Sequence, residues 1–135
     1  MPANAPMLST SPRILIVDDS RSVRATLAHY LDGCYQIREA GDGIQAWETL
    51  LVDPRIGLVI TDLGMPLLDG YGLIQRIRAS GIARINCLPV LVMSGTQDNA
   101  EHARAAAAGA AGLIGKGASA GELLARLAVL MPASA

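Results

Sequence analysis

ILIVDD, residues 14–19, runs four aliphatic side chains directly into two carboxylates. A strand with one wet face alternates apolar and polar residues, so an unbroken apolar run of this length predicts a strand buried on both faces. The same arrangement recurs down the chain: GLVIT (57–61) leads to Asp62, PVLVM (89–93) to Ser94, and AGLIG (111–115) to Lys116. YQIRE (35–39) carries more polar residues and reads as a more exposed edge strand.

Between these runs the apolar period changes from strand-like to helical. SRSVRATLAHYLDG places Val23, Leu27 and Leu31 at i, i+4 and i+8 and stops at Gly33, a residue type that ends helices cheaply. DNAEHARAAAAG pairs Asp98 with Glu101 at capping-box spacing and stops at Gly109. GIQAWETLL, LIQRIRAS and SAGELLARLAVLM complete the helical set, with Trp47 expected to pack inward beside Ile44 and Leu51. Strands alternating with helices of this length predict βαβ units and a parallel sheet of the α/β class. One domain over residues 13–131 follows, with a disordered leader at 1–12 and a short tail at 132–135.

Composition narrows the function. A chain of 135 residues with 51% hydrophobic content suits a single compact core. A net charge of −1 supplies no global field for nucleic acid or anionic membrane, and no apolar run approaches membrane-spanning length. The sequence therefore reads as soluble and unsecreted. Cys34 and Cys87 lie far apart, outside any metal-ligand spacing, and are expected to be reduced and buried. His29 and His102 lack partners in motif spacing and are expected at the surface.

In a parallel sheet, residues that follow strand ends collect along one edge, where such folds bind ligands. Asp18, Asp19, Asp62, Ser94 and Lys116 all occupy such positions. Three gathered carboxylates repel one another unless a cation or a proton intervenes. Mg²⁺, or Mn²⁺, suits them because a hard ion takes carboxylate, carbonyl and water oxygens and keeps positions open for phosphate. Lys116 is the chain's one lysine against ten arginines. A compact ammonium beside such an ion suits a phosphoryl oxygen, and the Ser94 hydroxyl can donate to another.

ILIVDDSRSVRATL, LVITDLGMPLLDGYGLI, PVLVMSG and GAAGLIGK, in that order and spacing, resemble the receiver domain of bacterial two-component response regulators. The resemblance covers residues 13 to about 131. It implies a doubly wound, five-stranded parallel sheet of flavodoxin-like order 2-1-3-4-5 with helices on both faces. It also implies that Asp62 accepts a phosphoryl group from a histidine kinase or histidine phosphotransfer protein in a phosphorelay. Asp19 would ligate Mg²⁺ directly, Asp18 mainly through water, and the Gly64 carbonyl would add a further ligand. Lys116 would pair with the phosphoryl group and Ser94 would bind and report it. The implied setting is the cytoplasm, and the implied role is signalling rather than enzymatic turnover of a separate substrate. Pro66, Asp69 and Gly70 are read as shaping the loop and starting the next helix.

The chain departs from the family pattern twice. Leu113 stands where an aromatic residue is usual, and Gly117 follows Lys116 where proline is usual. Two rivals read less well. An aspartyl-nucleophile phosphatase or mutase usually has a second Asp where Gly64 stands, and a P-loop needs glycine where Ala110 stands. A phosphorylation-independent interaction module remains the third alternative. The sequence ends at PASA soon after the last helix, so output is expected through a protein contact, a target or a homodimer, made by the fourth and fifth helices. Phosphorylation is expected to move residues 94–104 most.

Overall fold

The computed structural model describes residues 12–95 and 98–131. Five parallel strands, β1 (Arg13–Val17), β2 (Gln36–Ala40), β3 (Ile56–Asp62), β4 (Val90–Ser94) and β5 (Gly112–Gly115), form one sheet in the order β2-β1-β3-β4-β5. Five helices of two or more turns connect or follow them: α1 (Arg21–Leu31), α2 (Gly43–Val52), α3 (Gly70–Arg78), α4 (Asn99–Ala108) and α5 (Ala120–Leu130). The expected fold class, strand order and helix set are all present. Most of the proposed leader, and the tail, lie outside the described residues.

Side chains alternate across each strand, so one apolar run feeds two cores. Leu15, Val17, Val59, Val90 and Val92 face α2, α3 and α4, packing with Ala46, Leu50, Leu73, Ile74, Ile77 and Ala105. Ile14, Ile16, Leu58, Ile60, Leu91 and Met93 face α1 and α5, packing with Leu27, Leu31, Leu123 and Leu127. Each fully buried aliphatic side chain contributes about 1.5–3 kcal/mol of transfer free energy. Such burial on both faces is what commits the runs to strands.

Local chemistry sets the helix ends. Ser20, Asp42, Asp69, Asp98 and Ser119 each accept a backbone N–H of the first turn through their side chains. Gly33 and Gly109, at φ 80° and 113°, supply the left-handed residue past α1 and α4.

Tertiary packing changed several expectations. AGLIG was expected to be buried on both faces, but β5 is an edge strand whose Gly112 and Leu113 are half-buried and whose Gly115 is exposed. Cys34 and Cys87 are exposed thiols rather than buried ones, because each falls in a connection beyond a helix end. The buried stripe of α2 is Gly43, Ala46 and Leu50. Leu51 is exposed, whereas Trp47 is partly buried and packs against the core as expected, with the Arg76 guanidinium 5.8 Å from its ring centroid. A one-turn helix, Ala83–Asn86, has no clear sequence signal; it buries Ile85, and Arg78 donates to Asn86, Leu88 and Gly109 carbonyls around it. In α5, Leu123 and Leu127 are buried and Val129 is exposed, so packing on the sheet accounts for much of that helix's apolar content.

Candidate functional site

The strand order reverses between β1 and β3, where one chain connection leaves to each side and opens a crevice at the strands' carboxyl ends. Asp18 follows β1 and Asp62 ends β3, so the topology places both at this crevice. Ser94 likewise ends β4, one residue beyond the Met93 that pairs with Asp62. Asp62 and Ser94 thus lie within the last rung of their strands rather than just past them.

One carboxylate oxygen from each of Asp18, Asp19 and Asp62 lies within 4.8 Å of the others. Asp18 and Asp62 are buried and Asp19 is exposed, which leaves one side of the cluster open to solvent. Asp18 is only 2% exposed. Its Oδ1 accepts from the Ser20 amide at 2.8 Å, and its carbonyl accepts from Arg24 Nη1 at 2.6 Å. Its Oδ2 is buried with no hydrogen-bond partner among the described residues. An orphaned buried carboxylate oxygen is costly and asks for a cation, a proton or water. Burial, with the charge of Asp62 adding to it, holds the Asp18 carboxyl above the usual carboxylate range, against the Ser20 amide and Lys116, which pull it down. This donor set fits a hard divalent cation.

Lys116 Nζ lies 3.0 Å from Asp62 Oδ1, which also accepts from the Leu63 amide at 2.9 Å. Partial burial alone would weaken the ammonium's hold on its proton. The hydrogen bond and attraction to Asp62, with Asp18 and Asp19 behind it, more than reverse that and push its pKa up. The Lys116 amide donates to the Ser94 carbonyl at 2.9 Å, fixing the start of the lysine loop against β4. Among the described residues no peptide bond is cis, so Lys116–Gly117 is trans.

The loop after Asp62 is shaped as expected. Asp69 caps α3 through the Gly72 amide. A Cβ at Gly70 would run into the Asp62 carbonyl and the Leu63 backbone, so only glycine lets α3 start this close to β3. Gly64 is exposed, with open space where a side chain would stand. Leu68 N donates to the Pro66 carbonyl at 2.9 Å across Leu67, a non-glycine residue at φ 70°. His29 is exposed and His102 half-buried.

Sequence reasoning missed two residues beside the site. Arg24 ties the Asp18 carbonyl to Glu39 on β2, with Nε to Oε1 at 3.0 Å. Glu101, read as a capping residue, accepts the Ser94 hydroxyl at 2.9 Å. Neither pairing follows a spacing rule that could have revealed it.

The family model for the response regulator receiver domain matches residues 14–128. Response regulator MprA of Mycobacterium ulcerans is 36% identical over 122 residues, which cover 90% of this chain and 50% of that protein. The chain therefore spans about half the length of the curated relatives it matches. The structure is similar to the chemotaxis response regulator CheY4 of Vibrio cholerae, with a TM-score of 0.82 at 26% identity over 90% of this chain and 99% of that one. It is also similar to a response regulator receiver protein from Pseudomonas putida, with a TM-score of 0.76 at 34% identity over 85% and 93% of the two chains.

Proposed function

Because this chain belongs to the response regulator receiver family, we propose that Asp62 is its phosphoacceptor and that Asp18, Asp19, Lys116 and Ser94 serve the transfer. The observation that carries this reading is the Asp62–Lys116 contact at 3.0 Å beside two further carboxylates that leave a buried oxygen without a partner. Asp62 Oδ1 is engaged by Leu63 and Lys116, so Oδ2 is the oxygen that attacks phosphorus. The new O–P bond forms as the donor's P–N bond breaks, and the electron pair returns to the imidazole of a histidine kinase or histidine phosphotransfer protein. Lys116 then sits where a non-bridging phosphoryl oxygen develops charge, and the Ser94 hydroxyl supplies a donor to a second oxygen.

Asp18, Asp19 and Asp62, with the Gly64 carbonyl, would hold Mg²⁺ or Mn²⁺. When bound, such an ion offsets charge on the transferring oxygens. The domain assists its own phosphorylation and acts on no separate substrate. Among the described residues no helix is long and apolar enough to cross a membrane, in keeping with a cytoplasmic setting. Output runs through α4 and α5, to a protein target or a second copy. Incubation with acetyl phosphate and Mg²⁺ should add one phosphoryl mass to the wild type and none to Asp62→Asn, whose amide matches the carboxylate in shape but is a poor nucleophile. Equal incorporation by the two proteins would refute the assignment.

A further inference from the structure

Ser94 is 6% exposed, and its hydroxyl donates to Glu101 Oε1 at 2.9 Å in the first turn of α4. Glu101 belongs to a wider connection. The Tyr71 hydroxyl at the start of α3 reaches the Glu101 carbonyl at 3.5 Å, and the Arg104 guanidinium lies 3.8 Å from the Tyr71 ring centroid. The Ser94 hydroxyl, the first turn of α4 and the start of α3 therefore form one contiguous group.

We propose that Glu101 is a positioning residue that holds the Ser94 hydroxyl toward α4 until a phosphoryl group on Asp62 draws it away. The proposal rests on the assignment of Asp62 and Ser94 above. A hydroxyl has one proton to donate. While that proton is given to Glu101, it is withheld from a phosphoryl oxygen, so the hydroxyl must leave a charge-assisted hydrogen bond to engage the phosphate. The cost appears as a reduced apparent affinity, set by the fraction of molecules in which Ser94 is already released. Once released, Glu101 loses a donor at the first turn of α4, so the change reaches that helix. Leu113, on β5, has no polar group with which to carry the same message.

Beryllofluoride titration in Mg²⁺, followed by amide spectra, tests this. Glu101→Ala should tighten apparent beryllofluoride affinity about tenfold, the scale of one charge-assisted hydrogen bond. Without beryllofluoride, its amides at residues 94–104 should already move part-way toward the bound positions. Glu101→Gln keeps an acceptor without the charge and should tighten affinity only about threefold. Removing an anion near an anion site would tighten binding by itself, so the deciding comparison is made in a Ser94→Ala background. There Glu101→Ala should change affinity by less than about twofold. Wild-type affinity in Glu101→Ala, or equal tightening with and without Ser94, overturns the proposal. If the alanine variant fails to fold, wild-type affinity in Glu101→Gln overturns it as well. A wild type that does not bind beryllofluoride at all overturns the assignment of Asp62 instead.

Discussion

At the amino end of the sheet one buried carboxylate meets two guanidinium groups; at the carboxyl end three carboxylates meet one ammonium. Asp53 and Asp18 are the same residue type at nearly the same burial, 4% and 2% exposed. Burial pushes both pKa values up. At Asp53 the effect is more than reversed by Arg13 Nη1 at 2.7 Å, the Arg55 amide at 3.0 Å and Arg38 Nη1 at 3.2 Å, so its carboxyl lies below the usual range. At Asp18 a single amide and a lysine shared with Asp62 do not suffice, and the carboxyl stays above it. The neighbours outweigh burial at Asp53 and fail to at Asp18, where burial weighs more heavily. Both Asp53 oxygens accept hydrogen bonds, while Asp18 keeps a buried oxygen with no partner among the described residues, a place for a cation, a proton or water.

The strongest way to break this contrast is Asp53→Ala. It strands Arg13 and Arg38 beside a half-buried surface and removes the acceptor of the Arg55 amide, and should destabilise the protein by about 2–4 kcal/mol in urea unfolding. A loss of only a few tenths would mean that the pairs contribute little. The pH dependence has a definite sign. Because the folded pKa of Asp53 is depressed, its contribution is present above the unfolded value of about 3.9 and is lost as pH falls through the lower folded value. Urea midpoints measured below about pH 4 should therefore fall more steeply in the wild type than in Asp53→Asn.

The opposite end should respond in the opposite direction. Asp18→Asn keeps the Oδ1 acceptor for Ser20 but removes one of three crowded charges. Without divalent cations it should stabilise the protein by about 1 kcal/mol, a few degrees in Tm. With excess Mg²⁺ the wild type should gain Tm and the variant should not, because only the wild type retains the full carboxylate set. A destabilised Asp18→Asn in metal-free buffer would show that the cluster's charges are already compensated within the protein.

The smallest effect belongs to Leu67, 82% exposed at φ 70° in the loop that follows Asp62. A left-handed backbone costs an L-residue about 1–2 kcal/mol, and glycine gives back about 0.5–1 kcal/mol through its freer unfolded chain. Leu67→Gly should therefore gain about 0.5 kcal/mol in the same unfolding assay. A loss would show that the exposed leucine side chain contributes packing that outweighs the strain.

The sequence by itself determined the strands, most helices and the standing of Asp18, Asp62, Ser94 and Lys116 at strand ends. Unbroken aliphatic runs, the changes of period between them, and turn residues such as Gly33 and Gly109 act over a few residues, so they are readable without the fold. A parallel sheet then converts position at a strand end into a place on one edge, which is why Asp18, Asp62, Ser94 and Lys116 could be grouped in advance. Only the tertiary structure decided what depends on partners distant in the chain. It made β5 an edge strand, left Cys34 and Cys87 exposed, and turned Leu51 outward in favour of Ala46 and Leu50. It also set Asp53 against Arg13, 40 residues away, and closed the Ser94 hydroxyl on Glu101. Periodicity and capping act through bonds and adjacent turns, whereas burial and charge pairing act through space, and the distances that govern them exist only once the sheet has brought those segments together.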